Sequence, residues 1–299
     1  MARNLVVLVP TSERLSLVER TLSSLKEVRK PSIYRETVLI ENGRRQLCEG
    51  LARDFRESLN LRYLYLPDGN KSNALNTALE SIQDALVFFT DDDVRFDPSV
   101  LGAYADAASG KHGGEFYGGP FGVDYDEAPP PWLVEFLPSS AVGWSLGDQP
   151  RIIGKGNAFL GFNWAAFADD LKRLGGFSIH HGPGSRTKAV GQETEMQGRL
   201  LDNRTIGRYV PGALVWHYVP PERCSRRFAA LRAYRWGIQS GLKSEDSWVT
   251  LSKRWTKSGV KSLLKILSRD PAEFFRPYYQ FRFNTGLVRG RMIRLNRGL

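Results

Sequence analysis

The sequence predicts an α/β protein with a mostly parallel sheet flanked by helices, followed by a mainly helical, basic C-terminal extension. Strand-like and helix-like segments alternate four times within about ninety residues, and such alternation builds a parallel sheet covered by helices. The pattern then breaks into a Gly-, Pro- and aromatic-rich stretch over residues 110–158. Charge marks the third part. Residues 221–299 hold 18 Lys/Arg and 5 Asp/Glu, a net +13, whereas the preceding 220 residues hold 24 and 27, a net −3.

In chain order, "NLVVLVP" (4–10) reads as a buried strand ending at Pro10. Leu15, Val18, Leu22 and Leu25 then recur at helical spacing up to Lys26. "ETVLIENG" (36–43) is a second strand closed by an Asn-Gly turn signal, residues 47–58 are helical, and "LRYLYLP" (61–67) is a third strand. "KSNALNTALESIQ" (71–83) is a helix with Leu75, Ala78, Leu79 and Ile82 on one side, and "ALVFFT" (85–90) is a fourth strand. Beyond the loop-rich stretch, residues 163–177 read as a helix with a glycine stop, 178–190 as a mobile loop and 191–204 as a helix. Residues 207–220 form two short strands, the second ending at His217, and the chain is helical from Ser225 onward.

At 299 residues with 41% hydrophobic and 25% charged content, the composition is that of a globular protein. No apolar run approaches the ~20 residues that span a bilayer. The N-terminus reads as a first strand rather than a signal peptide. Cys48 and Cys224 form no metal or redox motif, so a reducing, cytoplasmic setting is expected. The basic tail suits a polyanion, an anionic membrane or a phosphate-bearing substrate, or is a solvated helical face.

In parallel sheets, ligands bind at the C-terminal strand ends. Three of those ends carry polar groups here: Thr11–Glu13, Glu41–Asn42 and Asp91–Asp93. Asp91 and Asp93, two apart in an extended segment, point to one side and can face one Mg²⁺ or Mn²⁺ with phosphate oxygens and water completing its shell. An acidic turn before Pro98 is the plainer alternative. His217, after an apolar strand, can offer a neutral imidazole to a metal or a structural hydrogen bond. Glu193, beside a glycine and a loop, suits a general base or a carboxylate favoured by the helix dipole.

In order and spacing, these segments resemble the GT-A glycosyltransferases of family 2, inverting enzymes with a Rossmann-like fold that use nucleotide-diphosphate sugars. "VVLVPTSER", "TVLIENG", "KSNALNTAL", "FFTDDDVRFDP", "GKGNAFLGFNWAAFADDLKRLGGF" and "GQETEMQGRLL" carry the resemblance, across residues 4–220. It implies that Pro10, Thr11, Glu13, Glu41, Lys71, Asn76, Asp91 and Asp92 line the nucleotide-sugar site. Asp93 is implied to bind the divalent ion, Mn²⁺ or Mg²⁺, with His217 helping. Glu193 matches the catalytic base, and Asn157 and Gln192 are the implied acceptor or phosphate contacts. Outside the resemblance, Arg226 and Arg227 follow shortly after His217 and are expected to add cationic stabilisation of the leaving diphosphate. Gln192–Glu193 stands where Glu-Asp is usual, and Glu41 where Asp is expected. The Gln-x-x-Arg-Trp signature of processive members is missing, so addition of a single sugar is expected.

The domain division expected is a nucleotide-binding half over 1–110, an acceptor-binding and catalytic half over 111–222, and the basic extension over 223–299. The expected partners are a nucleotide-sugar donor, UDP-linked first with GDP and dTDP next, and a glycan or lipid-linked acceptor in glycan, polysaccharide or glycolipid synthesis. Peripheral attachment to an anionic membrane through residues 245–299 is expected from charge interleaved with aromatics, and an oligomer is compatible with the same tail. The rivals are a nucleotidyltransferase-like enzyme, lacking here a Gly-rich phosphate loop, and a non-enzymatic basic nucleic-acid- or membrane-binding protein.

Overall fold

The computed structural model describes residues 4–154, 156–180 and 191–296. Of the loop expected over 178–190, residues 181–190 lie outside those described. Packing divides the chain into two compact units, residues 1–124 with 143–218, and residues 125–142 with 219–299.

The first unit opens with β1 (Asn4–Thr11), α1 (Leu15–Lys26), β2 (Tyr34–Asn42), α2 (Glu49–Asp54), β3 (Leu61–Leu66), α3 (Lys71–Glu80) and β4 (Ala85–Phe89). These strands pair in parallel in the order β3-β2-β1-β4. Next come β5 (Val94–Phe96), α4 (Val100–Ala107), β6 (Glu115–Gly118), β7 (Phe121–Tyr125), β8 (Arg151–Ile153), β9 (Trp164–Phe167), α5 (Ala168–Arg173), α6 (Gln192–Asp202), β10 (Ile206–Tyr209) and β11 (Val215–Val219). The main sheet continues from β4 through β9, β6, β10 and β8, and a small sheet has the order β5-β11-β7.

The strand period of two divides the core between the sheet's faces. Leu5, Val7 and Val9 pack with Val18, Leu22 and Leu25 of α1, while Val6 and Leu8 pack with Leu75, Ala78 and Leu79 of α3. Each Val or Leu among these, fully buried, contributes about 1.5–3 kcal/mol. Leu15, counted in the apolar stripe of α1, is instead exposed at its first turn.

Several elements differ from the sequence reading. Residues 164–167 form β9, antiparallel between β4 and β6, rather than the start of a helix. All four are buried, so Trp-Ala-Ala-Phe serves as a two-faced core strand, for which helical and extended periodicity are indistinguishable over so few residues. The helix is only Ala168–Arg173. α2 is confined to Glu49–Asp54 within the expected 47–58, and β11 runs past His217 to Val219. β5 and α4 were not expected.

The second unit contains α7 (Arg226–Lys243), α8 (Trp248–Leu264) and α9 (Pro271–Asn296). α7 and α9 approach to backbone contact at two facing glycine pairs, four residues apart on each helix. A Cβ on Gly237 would lie 2.1 Å from the Phe283 carbonyl oxygen, and one on Gly286 would lie 2.0 Å from that of Tyr234. Gly241 and Gly290 repeat the arrangement one turn on, at 2.2 Å from the oxygens of Leu287 and Ile238. Because the obstructing atoms are backbone, no rotamer change relieves them. Gly241→Val should therefore separate the helices and cost about 1–3 kcal/mol, read as a lowered urea midpoint in far-UV circular dichroism.

Candidate active site

The acidic cluster sits where β4 ends. Asp92 and Asp93 are buried, at 3% and 5% exposure, and three adjacent carboxylates there require cations or donors. Arg14, just after β1, supplies one fork: Nη1 meets Asp92 Oδ1 at 2.6 Å and Nη2 meets Asp93 Oδ2 at 2.8 Å. Thr11 donates its hydroxyl to Asp92 Oδ2 at 2.6 Å. Burial pushes the Asp92 carboxyl up to about 6, against the pull of Arg14 and Thr11 and with the repulsion of Asp93 and Asp91.

Lys71, the first residue of α3, supplies the second cation. Its Nζ lies 2.6 Å from Asp91 Oδ1 and 3.3 Å from Glu193 Oε1. Burial pushes the ammonium down, but the two carboxylates outweigh it and hold Lys71 above its usual range. Burial likewise raises Asp91, yet Lys71 holds it net below the usual carboxylate value. Glu193 also accepts from Gln192 Nε2 at 2.7 Å. It lies across Gly161, where a Cβ would come within 2.1 Å of its Oε1. Gly191 starts this helix at φ +95°, a left-handed turn that favours glycine. Pro10, Lys71, Gly161 and Glu193 line one narrow cleft.

His217 reaches the cluster through the small sheet. It pairs in register with Val94, the residue after Asp93, and the Tyr218 N–H donates to the Asp93 carbonyl at 2.8 Å. Its Nε2 stands 3.6 Å from Asp93 Oδ1, and its ring stacks on Phe162 with centroids 4.6 Å apart.

Other expected residues are engaged elsewhere. Glu41 is fully buried and accepts the N–H groups of Leu47 and Cys48 and the hydroxyl of Tyr63, at 2.5–3.1 Å. Asn76 grips the turn at Phe177, donating to its carbonyl at 2.9 Å and accepting its N–H at 2.7 Å. Glu13, at φ +54°, pairs with Arg45 at 2.8 Å, which holds its carboxyl below the usual value. Asn157 is exposed, its N–H donated to Gly154. Arg226 and Arg227 belong to the second unit, at the exposed start of α7. Sequence reasoning missed Arg14, Gly161 and Phe162. For Arg14 the signal was a lone cation three residues beyond a strand end that itself faces an acidic one.

No metal-ligand group of three or more His, Cys, Asp or Glu side chains is gathered among the described residues. The donor set still fits a divalent ion. Asp91, Asp92, Asp93 and Glu193 against Arg14 and Lys71 leave a formal −2, and Asp93 with His217 offers an oxygen and a nitrogen donor side by side. Mg²⁺ sites in phosphate chemistry commonly use one or two carboxylates, with substrate phosphates and water supplying the rest.

The family described as glycosyl transferase family 2 matches residues 6–168, more than half of the chain. No curated protein matches at the sequence level. Among solved structures, the mannosyltransferase PcManGT from Pyrobaculum calidifontis, in complex with GDP-Man and Mn²⁺, aligns with TM-score 0.60 at 16% identity, over 99% of this chain and 88% of its own. S. aureus TarS aligns with TM-score 0.55 at 15% identity, over 89% of this chain but 44% of its own. Its 1–349 segment aligns with TM-score 0.54 at 13% identity, over 97% and 91%. At these identities the likeness speaks to the fold.

The grip of Asn76 on Phe177 makes a stability prediction. Asn76→Ala strands both a backbone N–H and a carbonyl, so urea unfolding should show a loss of about 1–3 kcal/mol.

Proposed function

The chain belongs to glycosyl transferase family 2 and has the GT-A fold, and on that premise we propose an inverting enzyme that moves one sugar from a nucleotide-diphosphate donor to an acceptor hydroxyl. The observation that carries this reading is the ion pairing of Lys71 with both Asp91 and Glu193. It gathers the base expected of the family, a strand-end carboxylate and a cation from three distant parts of the chain.

In this mechanism Glu193 takes the proton of the acceptor hydroxyl as that oxygen attacks the anomeric carbon. The bond from that carbon to the phosphate oxygen breaks, and the nucleoside diphosphate leaves with its electron pair. Direct displacement inverts the anomeric centre. Lys71 and Arg14 favour the charge that develops on the leaving group. Asp93 and His217 are the residues proposed to hold a divalent cation, Mn²⁺ or Mg²⁺. Such an ion supplies further neutralisation of the diphosphate. Pro10, Thr11 and Asp91 line the donor side, and Asp92 anchors Arg14. Glu41 and Asn76 act as positioning residues through the 44–48 loop and the Phe177 turn.

UDP remains the first donor series to test, and the GDP-Man bound by PcManGT makes GDP the next. A thermal-shift screen of UDP, GDP, dTDP and CDP with Mn²⁺ or Mg²⁺ should show one nucleotide stabilising the protein in a metal-dependent way. Asp93→Ala should abolish the shift. Glu193→Gln should keep the shift and lose transfer by about 10²–10⁴-fold, the usual weight of a general base. A screen without any response would overturn the donor assignment.

The acceptor side of the proposal places the enzyme on an anionic membrane. No described helix is long and apolar enough to cross a bilayer. Val260, Leu263, Leu264 and Leu267 recur at helical spacing and are 50–89% exposed. Lys257, Lys261 and Lys265 interleave with them, the pairing of apolar and basic groups that binds an anionic interface. Flotation with phosphatidylglycerol vesicles should carry the protein at low salt, and high salt or Leu263→Ser/Leu264→Ser should release it. Equal binding to zwitterionic vesicles, or none to either, would contradict the proposal.

A further inference from the structure

Within the second unit, a cavity of about 490 Å³ opens between α7 and α9, a size that accommodates small ligands. Its walls carry two chemistries. Arg226 and Arg227 from the start of α7 and Arg282 from α9 form a cationic side, and Phe274, Phe275 and Tyr278 form an apolar one. No Asp or Glu is among the residues lining it.

The cationic side is built to receive an acceptor. The Nε of Arg282 is buried, and among the described residues nothing accepts a hydrogen bond from it. The guanidinium is held over the Tyr234 ring at 5.1 Å from its centroid. That stacking fixes the plane of the fork without satisfying its donors. Arg226 and Arg227 stand at a helix N-terminus, where the free N–H groups and the dipole also favour an anion. Ser225 caps this helix by accepting the Phe228 N–H at 3.2 Å.

The apolar side is equally fixed. Phe275 is 1% exposed and meets the rings of Trp132 and Phe136 edge-on, at 5.8 and 5.1 Å between centroids. Phe274 and Tyr278, beside Phe275 in this wall, are only half-buried; a free phosphate would leave them uncovered, and a neutral lipid would leave the guanidinium groups without an acceptor. A molecule that carries both parts satisfies both sides.

We propose that this cavity binds a phosphate ester attached to an apolar chain, with the arginines taking the phosphate oxygens and the aromatic wall taking the first carbons of the chain. The inference does not rest on the donor site in the first unit and is measured separately from it. Isothermal titration of the full chain would use dihexanoyl phosphatidic acid below its micelle concentration, dihexanoyl phosphatidylcholine and inorganic phosphate. Phosphatidic acid should bind, with inorganic phosphate and phosphatidylcholine each weaker by about ten-fold or more. Arg282→Gln and Arg227→Ala should each weaken phosphatidic acid binding by about ten-fold. Because Arg282 is partly buried, the exposed Arg227→Ala gives the reading that does not depend on an intact core. Unchanged binding in both variants, absence of phosphatidic acid binding, or equal binding of inorganic phosphate and phosphatidic acid would each overturn the proposal. The last of these would leave a simple anion site.

Discussion

Everything in the first unit's site depends on how buried carboxylates at the end of β4 are paired with cations and donors. Two aspartates at 3% and 5% exposure have lost most of their hydration, and their mutual repulsion adds to that cost. Arg14 offsets it with a fork whose two nitrogens reach different aspartates, 2.6 and 2.8 Å away. Lys71 does the same for Asp91 and Glu193. These two cations link the β1 end, the start of α3, the β4 end and α6 through side-chain contacts. They also leave the group two charges short of neutrality, which is the electrostatic basis for reading it as a seat for a divalent ion.

The geometry of this network follows from strand pairing. β5 is three residues long, yet it couples the acidic cluster to His217 by register, since β11 lies antiparallel to it with His217 opposite Val94. A one-residue slip would turn the imidazole to the other face. Phe162 stacks on the same ring, so His217 is held by backbone pairing from one direction and by aromatic contact from another. In the proposed reaction, preorganisation of this kind would leave little reorganisation to be done as charge develops on the leaving group.

The second unit solves a different problem, packing helices that carry a large excess of positive charge. Facing glycines let the α7 and α9 backbones touch, so helix association there relies on close backbone contact rather than on a thick layer of large side chains. In the cavity between these helices Arg226, Arg227 and Arg282 gather without a carboxylate among the lining residues.

The amino-acid sequence by itself determined the alternation of β1 to β4 with α1 to α3, the placement of Asp91–Asp93 at a strand end, and the basic helical tail. Those properties are local: hydrophobic period, turn residues and composition are readable within a dozen residues. It also identified Lys71, Glu193 and His217 as candidates, though not that one ammonium joins Asp91 to Glu193. Only the tertiary structure decided that Trp164–Phe167 is a central strand, because a four-residue apolar run has no period of its own and takes its conformation from its neighbours. Tertiary structure likewise turned Glu41 and Asn76 inward to backbone partners, brought Arg14 onto two aspartates some eighty residues away, and set Arg282 in a cavity wall. Each of these depends on contacts between segments far apart in the chain, and long-range pairing leaves no mark in local spacing.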